Sequence, residues 1–300
     1  MSTILIEQNT ERQLQRLGAQ RQLYGTAKKV FIAQLILGGP VAVVTALLVG
    51  IFPKLRGYTA LWGILVVLSD IVWFTPWQKR LRDAAARVQE SFDCDVLSLP
   101  WNCLKAGNRP DPELVKERSE KYKKWAAKLP PLTNWYSSAI GDLPLHIGRL
   151  ACQRSNCWWD SKQRRRYATW VIAIVVTVFT LMICLAMGNK ITLEDFMLKV
   201  IAPLGPALIL GVRQFTEQME AAARLDNLKE HSEQMWNDAL SGKPEAEVTA
   251  GSRGLQDEIC ENRKKSPLVF DIIYKRLQRD YEMQMNYGVA ELVAQAKKNL

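Results

Sequence analysis

The stretch "CQRSNCWWDSKQRRRYATWVIAIVVTVFTLMICLAMG", residues 152–188, decides the fold. Its first half is dense with Arg, Lys, Asn, Gln and Trp. Its second half, Trp170 to Gly188, carries no charge at all. A bilayer's hydrocarbon core, roughly 30 Å thick, asks for about 20 apolar residues in a helix. The run meets that demand, whereas charge-free stretches of this length seldom occur in the core of a water-soluble protein.

Three other runs fall under the same test. Val30 to Phe52 is uncharged, and Tyr58 to Phe74 is charged only at Asp70. Ile191 to Val212 is weaker: it carries Glu194, Asp195 and Lys199 and is broken by Pro203, Gly205 and Pro206. Together they predict an all-α integral membrane protein with two hairpins. Hairpin one occupies 30–76, with spans 30–52 and 58–76. Hairpin two occupies 167–212, with spans 167–188 and 191–212. The first run begins about thirty residues in and has no small-residue cleavage site after a short core, so it reads as a retained anchor.

Basic residues set the expected orientation. Of the 40 Lys and Arg in 300 residues, 1–29 holds five, 75–166 eighteen and 213–300 thirteen. The short loops "PKLRG" and "NKITLED" hold two and one. Both termini and the middle segment therefore share one side, read as the cytoplasm. That leaves a helical cytosolic part built from 1–29, 77–166 and 213–300. Cys94, Cys103, Cys152, Cys157 and Cys260 would face a reducing compartment, and Cys184 would lie in lipid. Their spacing makes no paired CxxC knuckle, and only His146 and His231 could assist a metal, so no metal or cofactor is expected.

Local signals agree on helices. Thr10 with Gln13 has capping-box spacing ahead of the first span. Pro100 breaks the helix that continues the second span. Asp111 and Pro112 open another, and its many charges read as a solvated face. "LPLHIGRLACQRSNCWWDSKQRRRY" reads as a helical approach to the third span, lying near the membrane surface. Gly242 is a C-terminal cap for the helix leaving the fourth span. "GKPEAEVTAGSRG" reads as a linker, and a further helix opens at Ser266-Pro267.

Motifs for catalysis are missing: no GxxxxGKS/T loop, no GxGxxG, no HExxH and no GxSxG. Binding signals are better. Arg154, Asn156, Asp160 and Arg165 cluster with Trp158 and Trp159 just before the third span. Arginine forks match phosphate oxygens in pairs, and Trp faces can stack on bases. The competing reading is anchoring, with Arg164, Arg165 and Arg166 on lipid headgroups and Trp158, Trp159 and Trp170 as an aromatic belt. Trp101 and Asn102 follow the rigid Pro100 turn, as a structural corner or a second part of a site. Tyr274, Arg279 and Glu282 share helical spacing, as an ion-pair face or a third part. Within the membrane, Asp70, Thr177, Thr180 and Lys199 are the candidates for a pore lining, because polar groups there are costly. Pairing of Asp70 with Lys79 or Arg80 is the alternative.

These pieces resemble the SMODS-associating four-transmembrane effectors of bacterial cyclic-oligonucleotide-based anti-phage signalling (CBASS). The similarity extends over most of the chain. It is carried by "LGAQRQLYGTAKK", "FDCDVLSLPWN", "CQRSNCWWDSKQRRRYA" and "SPLVFDIIYKRLQRDYE" in that order. The doubled Trp158–Trp159 departs from the pattern and obscures which ring has the usual role. The resemblance implies an effector in the bacterial inner membrane that answers a cyclic di- or trinucleotide by permeabilising that membrane, killing the infected cell.

On that basis Arg154, Asn156, Trp159, Asp160 and Arg165, with Trp101, Asn102 and Arg279, are expected to hold the anionic cyclic nucleotide. Expected partners are this second messenger, acidic headgroups and further copies of the chain, with no DNA or RNA polymer. Two other readings stay open: a ligand-independent membrane scaffold, and a small-ion transporter suggested by Lys199 in a broken span.

Overall fold

The computed structural model describes residues 3–41, 44–45, 48, 52–126, 132–188, 192–197 and 201–299, without the side chains of 53, 56, 59, 60, 125, 126, 195, 202–204, 206, 207 and 271–277. Regular structure among them is helical throughout: α1 Ile4–Glu7, α2 Glu11–Gly38, α3 Arg56–Ser69, α4 Thr75–Val96, α5 Cys103–Ala106, α6 Pro112–Ala126, α7 Leu145–Gly188, α8 Leu193–Phe196, α9 Ala202–Leu240, α10 Glu245–Lys265 and α11 Asp271–Asn299. A π turn, Asp70–Phe74, joins α3 to α4, and 3-10 turns cover Pro53–Leu55 and Ser138–Asp142.

The longest element is α7, with 44 residues. Pro144 stands just before it, and no proline interrupts it before Gly188. At 1.5 Å per residue it is about 66 Å long, twice the hydrocarbon thickness. The polar approach and the apolar run are thus one rod. The approach segment does not form a surface helix: Ile147, Leu150, Ala151 and Cys152 are buried in the main core.

Antiparallel to α7 runs α9, joined at Val175–Gly211, Arg165–Asp226 and Arg154–Glu233. A second antiparallel pair is α2 with α4, registered by Gln34 against Gln78 and Arg16 against Ser91. Between the pairs lies α10, which packs on α4, α7 and α9. Helix α11 closes the remaining side of α7 and the 138–142 turn. The segment expected to be a linker, 242–254, is largely the first half of α10. Its Glu and Ala residues favour helix, and Gly251 is there for close packing: a Cβ would stand 2.6 Å from Met235 Cε.

Three apolar clusters hold the polar half. Phe92, Leu97, Tyr136, Ile147 and Leu150 meet Val289 and Val293 of α11. Leu23, Ala27 and Phe31 meet Leu81, Ala85 and Val88. Cys157, Leu225, Leu255 and Ile259 join α7, α9 and α10. Aromatic contacts level the elements: Phe270 stacks on Phe31 at 5.4 Å and packs on Tyr167 at 6.0 Å.

Beyond that level the surface changes character. Ile64, Val67, Ile71, Val72 and Trp73 on one helical run, and Trp170, Ile174, Phe179 and Leu185 on α7, are exposed. Continuous helix from Leu61 to Val96, and α7, are the two among the described residues long and apolar enough to cross a membrane. No residue of the first one's most apolar eighteen-residue window is buried, and 11% of the second's are. Oil-facing rather than core-facing helices explain that exposure.

Candidate ligand site at the root of the long helix

Arg154, Asn156, Trp159, Asp160 and Arg165 sit on α7 above the apolar run; among them they reach α9, α11 and Tyr136. None of the first group's guanidinium or carboxylate groups points to solvent alone. Arg154 Nε donates to Glu233 Oε1 at 2.7 Å, and Lys229 Nζ lies 3.4 Å from the same oxygen. Arg165 donates through Nε and Nη2 to Asp226 Oδ2, and Ser161 Oγ donates to Asp226 Oδ1 at 2.5 Å. Burial raises the Asp226 carboxyl, but Ser161 and Arg165 outweigh it and hold it below its ordinary value. Asp160 Oδ2 lies 3.1 Å from Arg164 Nε, one turn on.

Of the triple arginine, Arg164 is buried, Arg165 half-buried and only Arg166 exposed. Anchoring on headgroups therefore does not describe all three. The doubled tryptophan also has a shared role here: Trp158 and Trp159 both stand edge-on to Tyr281 of α11, at 6.0 and 5.8 Å. Arg279 is exposed two residues away, and no hydrogen bond or ion pair among the described residues ties it to the other candidates. Tyr274 has its side chain outside the described residues.

Asn156 leads inward. Its Nδ2 donates to Tyr136 Oη at 3.1 Å, and that hydroxyl donates to Asp93 Oδ1 at 2.7 Å. Asp93 Oδ2 accepts from Arg263 Nη1 and from Gln256 Nε2. Gln256 also donates to Glu90 Oε2 at 2.8 Å, and Arg253 Nη2 donates to Glu90 Oε1 at 2.7 Å. Gln153 and Ser252 extend the network between α7 and α10. Glu90, Asp93, Gln153, Ser252 and Gln256 are almost wholly buried. Charges taken this far from water survive only when paired and hydrogen-bonded. Burial opposes the charge on Arg263, but Asp93 and Glu90 prevail and raise its pKa.

The corner at 100–102 joins the same network from outside. Asn102 Nδ2 donates to Asp257 Oδ2 at 2.8 Å, while its Oδ1 caps α5 by accepting from Leu104 N. Arg253 reaches both Asp257 and the Pro100 carbonyl. Trp101 Nε1 donates to the Gly107 carbonyl at 2.8 Å, and the Arg109 guanidinium lies over its ring at 5.1 Å. The two sequence constellations are thus tied by α10, although Trp101 itself turns toward Gly107.

Two depressions open on this half. One, about 780 Å³, is a shallow surface lined by Pro100, Glu245, Ala246, Thr249, Ala250 and Arg253. The other, about 200 Å³, includes Arg87, Arg109 and Asp111. Neither is lined by Arg154, Asn156, Asp160 or Arg165. Burial pushes the thiols of Cys157 and Cys260 up to about 12, so both stay protonated and poor as ligands or nucleophiles.

Among the pore-lining candidates, Asp70 opens the π turn. Its Oδ1 accepts from Gln34 Nε2 at 2.6 Å and from Thr75 Oγ1 at 3.0 Å, in place of Lys79 or Arg80. Gln78 Nε2 completes the set by donating to Gln34 Oε1. Thr177 and Thr180 are exposed on α7. Lys199 lies outside the described residues.

Sequence reasoning missed Glu233, Asp226, Glu90, Asp93, Tyr136, Arg253 and Arg263. The charged ones are of types ordinary for solvated helix faces, Tyr136 lies outside any helix, and only the spacing Glu90–Asp93 on an otherwise apolar helix face hinted at burial.

A helical bundle whose polar half is stitched by buried ion pairs, and whose other half shows bare hydrocarbon, defines a membrane protein with a built-in polar body. The chain belongs to the family of the SMODS-associating 4TM effector domain, whose model matches residues 2–292. It is also 23% identical over 299 residues to a protein of Bacillus cereus (strain VD146) named as a probable CBASS effector molecule, an alignment covering 95% of this chain and 97% of that one. No solved structure matches it. Membership makes this a membrane-associated effector with an anti-phage role, in a family not known for enzymes.

Proposed function

We propose that the protein senses a cyclic oligonucleotide on the cytosolic side of the bacterial inner membrane and, as a homo-oligomer, permeabilises that membrane. The observation that carries this reading is the unbroken α7, which bears Arg154, Asn156, Trp159, Asp160 and Arg165 on the same rod as the apolar run. A ligand that reorders those side chains acts directly on a membrane helix.

The orientation rests on a belt. Lys29, Lys79, Arg80 and Arg166 are exposed near the Phe31–Phe270–Tyr167 level, and Trp73, Trp77 and Trp170 lie just beyond them. Arg213 Nε reaches one turn on to Glu217 at 2.7 Å, the snorkelling expected at an interface. Cations with tryptophans at one level mark a cytosolic boundary with acidic headgroups. Both termini then lie in the cytoplasm.

Opening requires different ligand affinities in two states. Turning a population from about 1% to about 99% open takes about 5.5 kcal/mol of differential binding. Two phosphates gripped by guanidinium forks, multiplied over several subunits, reach that scale. One chain's few spans enclose little water, so the pore is formed between copies. Dye-loaded liposomes test the reading. Purified protein should release dye with at least one cyclic di- or trinucleotide and not with linear nucleotides; silence across the whole panel would reject it.

A second reading draws on the paired guanidiniums. Arg154 and Arg165 already face carboxylates, as they would in a ligand-independent scaffold. Such a scaffold tolerates Arg→Lys changes at 154 and 165, whereas a phosphate fork does not.

A further inference from the structure

The joint between α10 and α11 is held in an unusual way. Three consecutive backbone carbonyls each accept a side-chain donor from a different helix. Arg82 Nη1 of α4 donates to the Ser266 carbonyl at 3.3 Å, Arg164 Nη1 of α7 to that of Pro267 at 2.9 Å, and Gln218 Nε2 of α9 to that of Leu268 at 3.0 Å. Arg164 Nη1 also donates to Gln218 Oε1 at 2.8 Å. The clasp adjoins the Phe31–Phe270–Tyr167 level: Arg164 lies within one turn of Tyr167, and Leu268 is two residues before Phe270.

Around it, buried donors are left over. Arg82 Nε, Arg164 Nε, Asn262 Nδ2 and Ser266 Oγ have no hydrogen-bond partner among the described residues. Arg164, Asn262 and Ser266 are each more than nine-tenths buried. Asp160 stands 3.1 Å from Arg164 Nε as an ion pair, without forming an aligned hydrogen bond. Tyr24, half-buried, lies within electrostatic reach of Arg82, Arg164, Arg263 and Asp160. One stranded buried donor is tolerable; four on α4, α7, the end of α10 and the joint that follows it call for an acceptor.

Other buried arginines of this half differ. Arg16, Arg253 and Arg263 each bring a terminal nitrogen to a carboxylate, although Arg253 Nε is also without a hydrogen-bond partner among the described residues. Arg149 is spent on the Leu97 and Ser98 carbonyls and Thr249 Oγ1. Arg82 and Arg164 give Nη1 to neutral oxygens; among the described residues Arg82 Nε has no partner, and Arg164 Nε has only the unaligned Asp160 carboxylate. A phosphate offers a guanidinium a bidentate, oppositely charged partner, which a single neutral carbonyl cannot. A phosphate can therefore draw these two groups off the joint's carbonyls.

We infer that the clasp formed by Arg82, Arg164, Asn262 and Ser266 is a phosphate-binding site, and that its occupation loosens the Ser266–Leu268 joint from α4, α7 and α9. The phosphate is carried either by an anionic lipid entering at the membrane boundary, as basic pockets between membrane helices accept, or by a free phosphodiester in the cytosol. The site is separate from Arg154 and Arg165, and it stands whether or not the chain answers a cyclic oligonucleotide.

Its test uses the full chain in nanodiscs, read by thermal unfolding. In phosphatidylcholine discs the protein is titrated with inorganic phosphate and with cyclic diadenylate; a parallel sample is made in phosphatidylglycerol discs. A saturable rise with a soluble probe identifies the free phosphodiester, and a rise only in phosphatidylglycerol identifies the lipid. Either must weaken about tenfold in Arg164→Lys, which keeps charge but loses the fork, and in Ser266→Ala, which removes one stranded donor with minimal change of shape. Exposed Lys162→Gln, on the same helix, must leave it intact. Absence of a saturable rise in every arm, or equal responses in all variants, overturns the site. Cyclic diadenylate bound undiminished by Arg164→Lys and Ser266→Ala would overturn the clasp and leave signalling standing. A phosphate response with no cyclic oligonucleotide active in the dye assay would do the reverse.

Discussion

Arg154 of α7 and Glu233 of α9 meet at 2.7 Å, Nε to Oε1, so a candidate ligand arginine already holds an anion that belongs to the protein. An incoming phosphate has to displace that carboxylate. Glu233→Gln should therefore raise affinity for a cyclic oligonucleotide about tenfold, the scale of one charged hydrogen bond, and lower the dose needed for dye release. Arg154→Lys should do the opposite. Ligand titrations of the two variants in detergent check both; identical affinities would remove Arg154 from the site.

The buried network makes a stability prediction. Arg263→Met strands Asp93, which is fully buried and accepts from Tyr136 and Gln256. Breaking a buried pair by removing one partner costs about 3–5 kcal/mol. Tyr136→Phe removes one donor and one acceptor and should cost about 1–3 kcal/mol. Thermal unfolding in detergent should rank wild type above Tyr136→Phe and Tyr136→Phe above Arg263→Met.

Acid should loosen α7 from α9. The folded Asp226 carboxyl titrates below its ordinary 3.8, because Ser161 and Arg165 outweigh the effect of burial. A depressed carboxyl stabilises fully above the unfolded value and loses that contribution as pH falls through the folded value. Unfolding midpoints measured from pH 6 downward should hold until about pH 4 and then fall. The fall should be shallower in Asp226→Asn, which lacks that titration.

Beside the apolar run of α7, α9 packs tightly at Gly211, where a Cβ would collide with Val175 Cγ2. Small residues let membrane helices approach in this way. Gly211→Ala should overpack the contact, costing about 1–3 kcal/mol, and change basal dye leakage. Adding Val175→Ala should restore wild-type behaviour; if it does not, the contact is not what the glycine serves.

Much of the helix framework was readable beforehand, and for local reasons. Helix α2 starts after Thr10, although Thr10 Oγ1 donates to the Glu7 carbonyl rather than closing a capping box with Gln13. Helix α6 starts at Pro112. Gly242 takes φ 89 just past α9. Gly251 misled, because glycine serves close packing as well as bending; Gly254 has open space around it and is tolerated within the helix. The site was legible on one side only. Arg154, Asn156 and Arg165 stand out against an apolar run, whereas Glu233 and Asp226 resemble any carboxylates on a solvated helix. Which carboxylate meets which arginine depends on the register of two helices distant in the chain, and no local pattern encodes it.

A rod without a joint behaves as a lever. If α7 pivots near Trp170, the arms to Cys152 and to Gly188 are each about 27 Å. A tilt of about 10° then swings the far tip by about 5 Å, opposite in direction to the near one. A push at the polar end would therefore be felt at the far tip of the apolar run, with nothing in between needing to unfold.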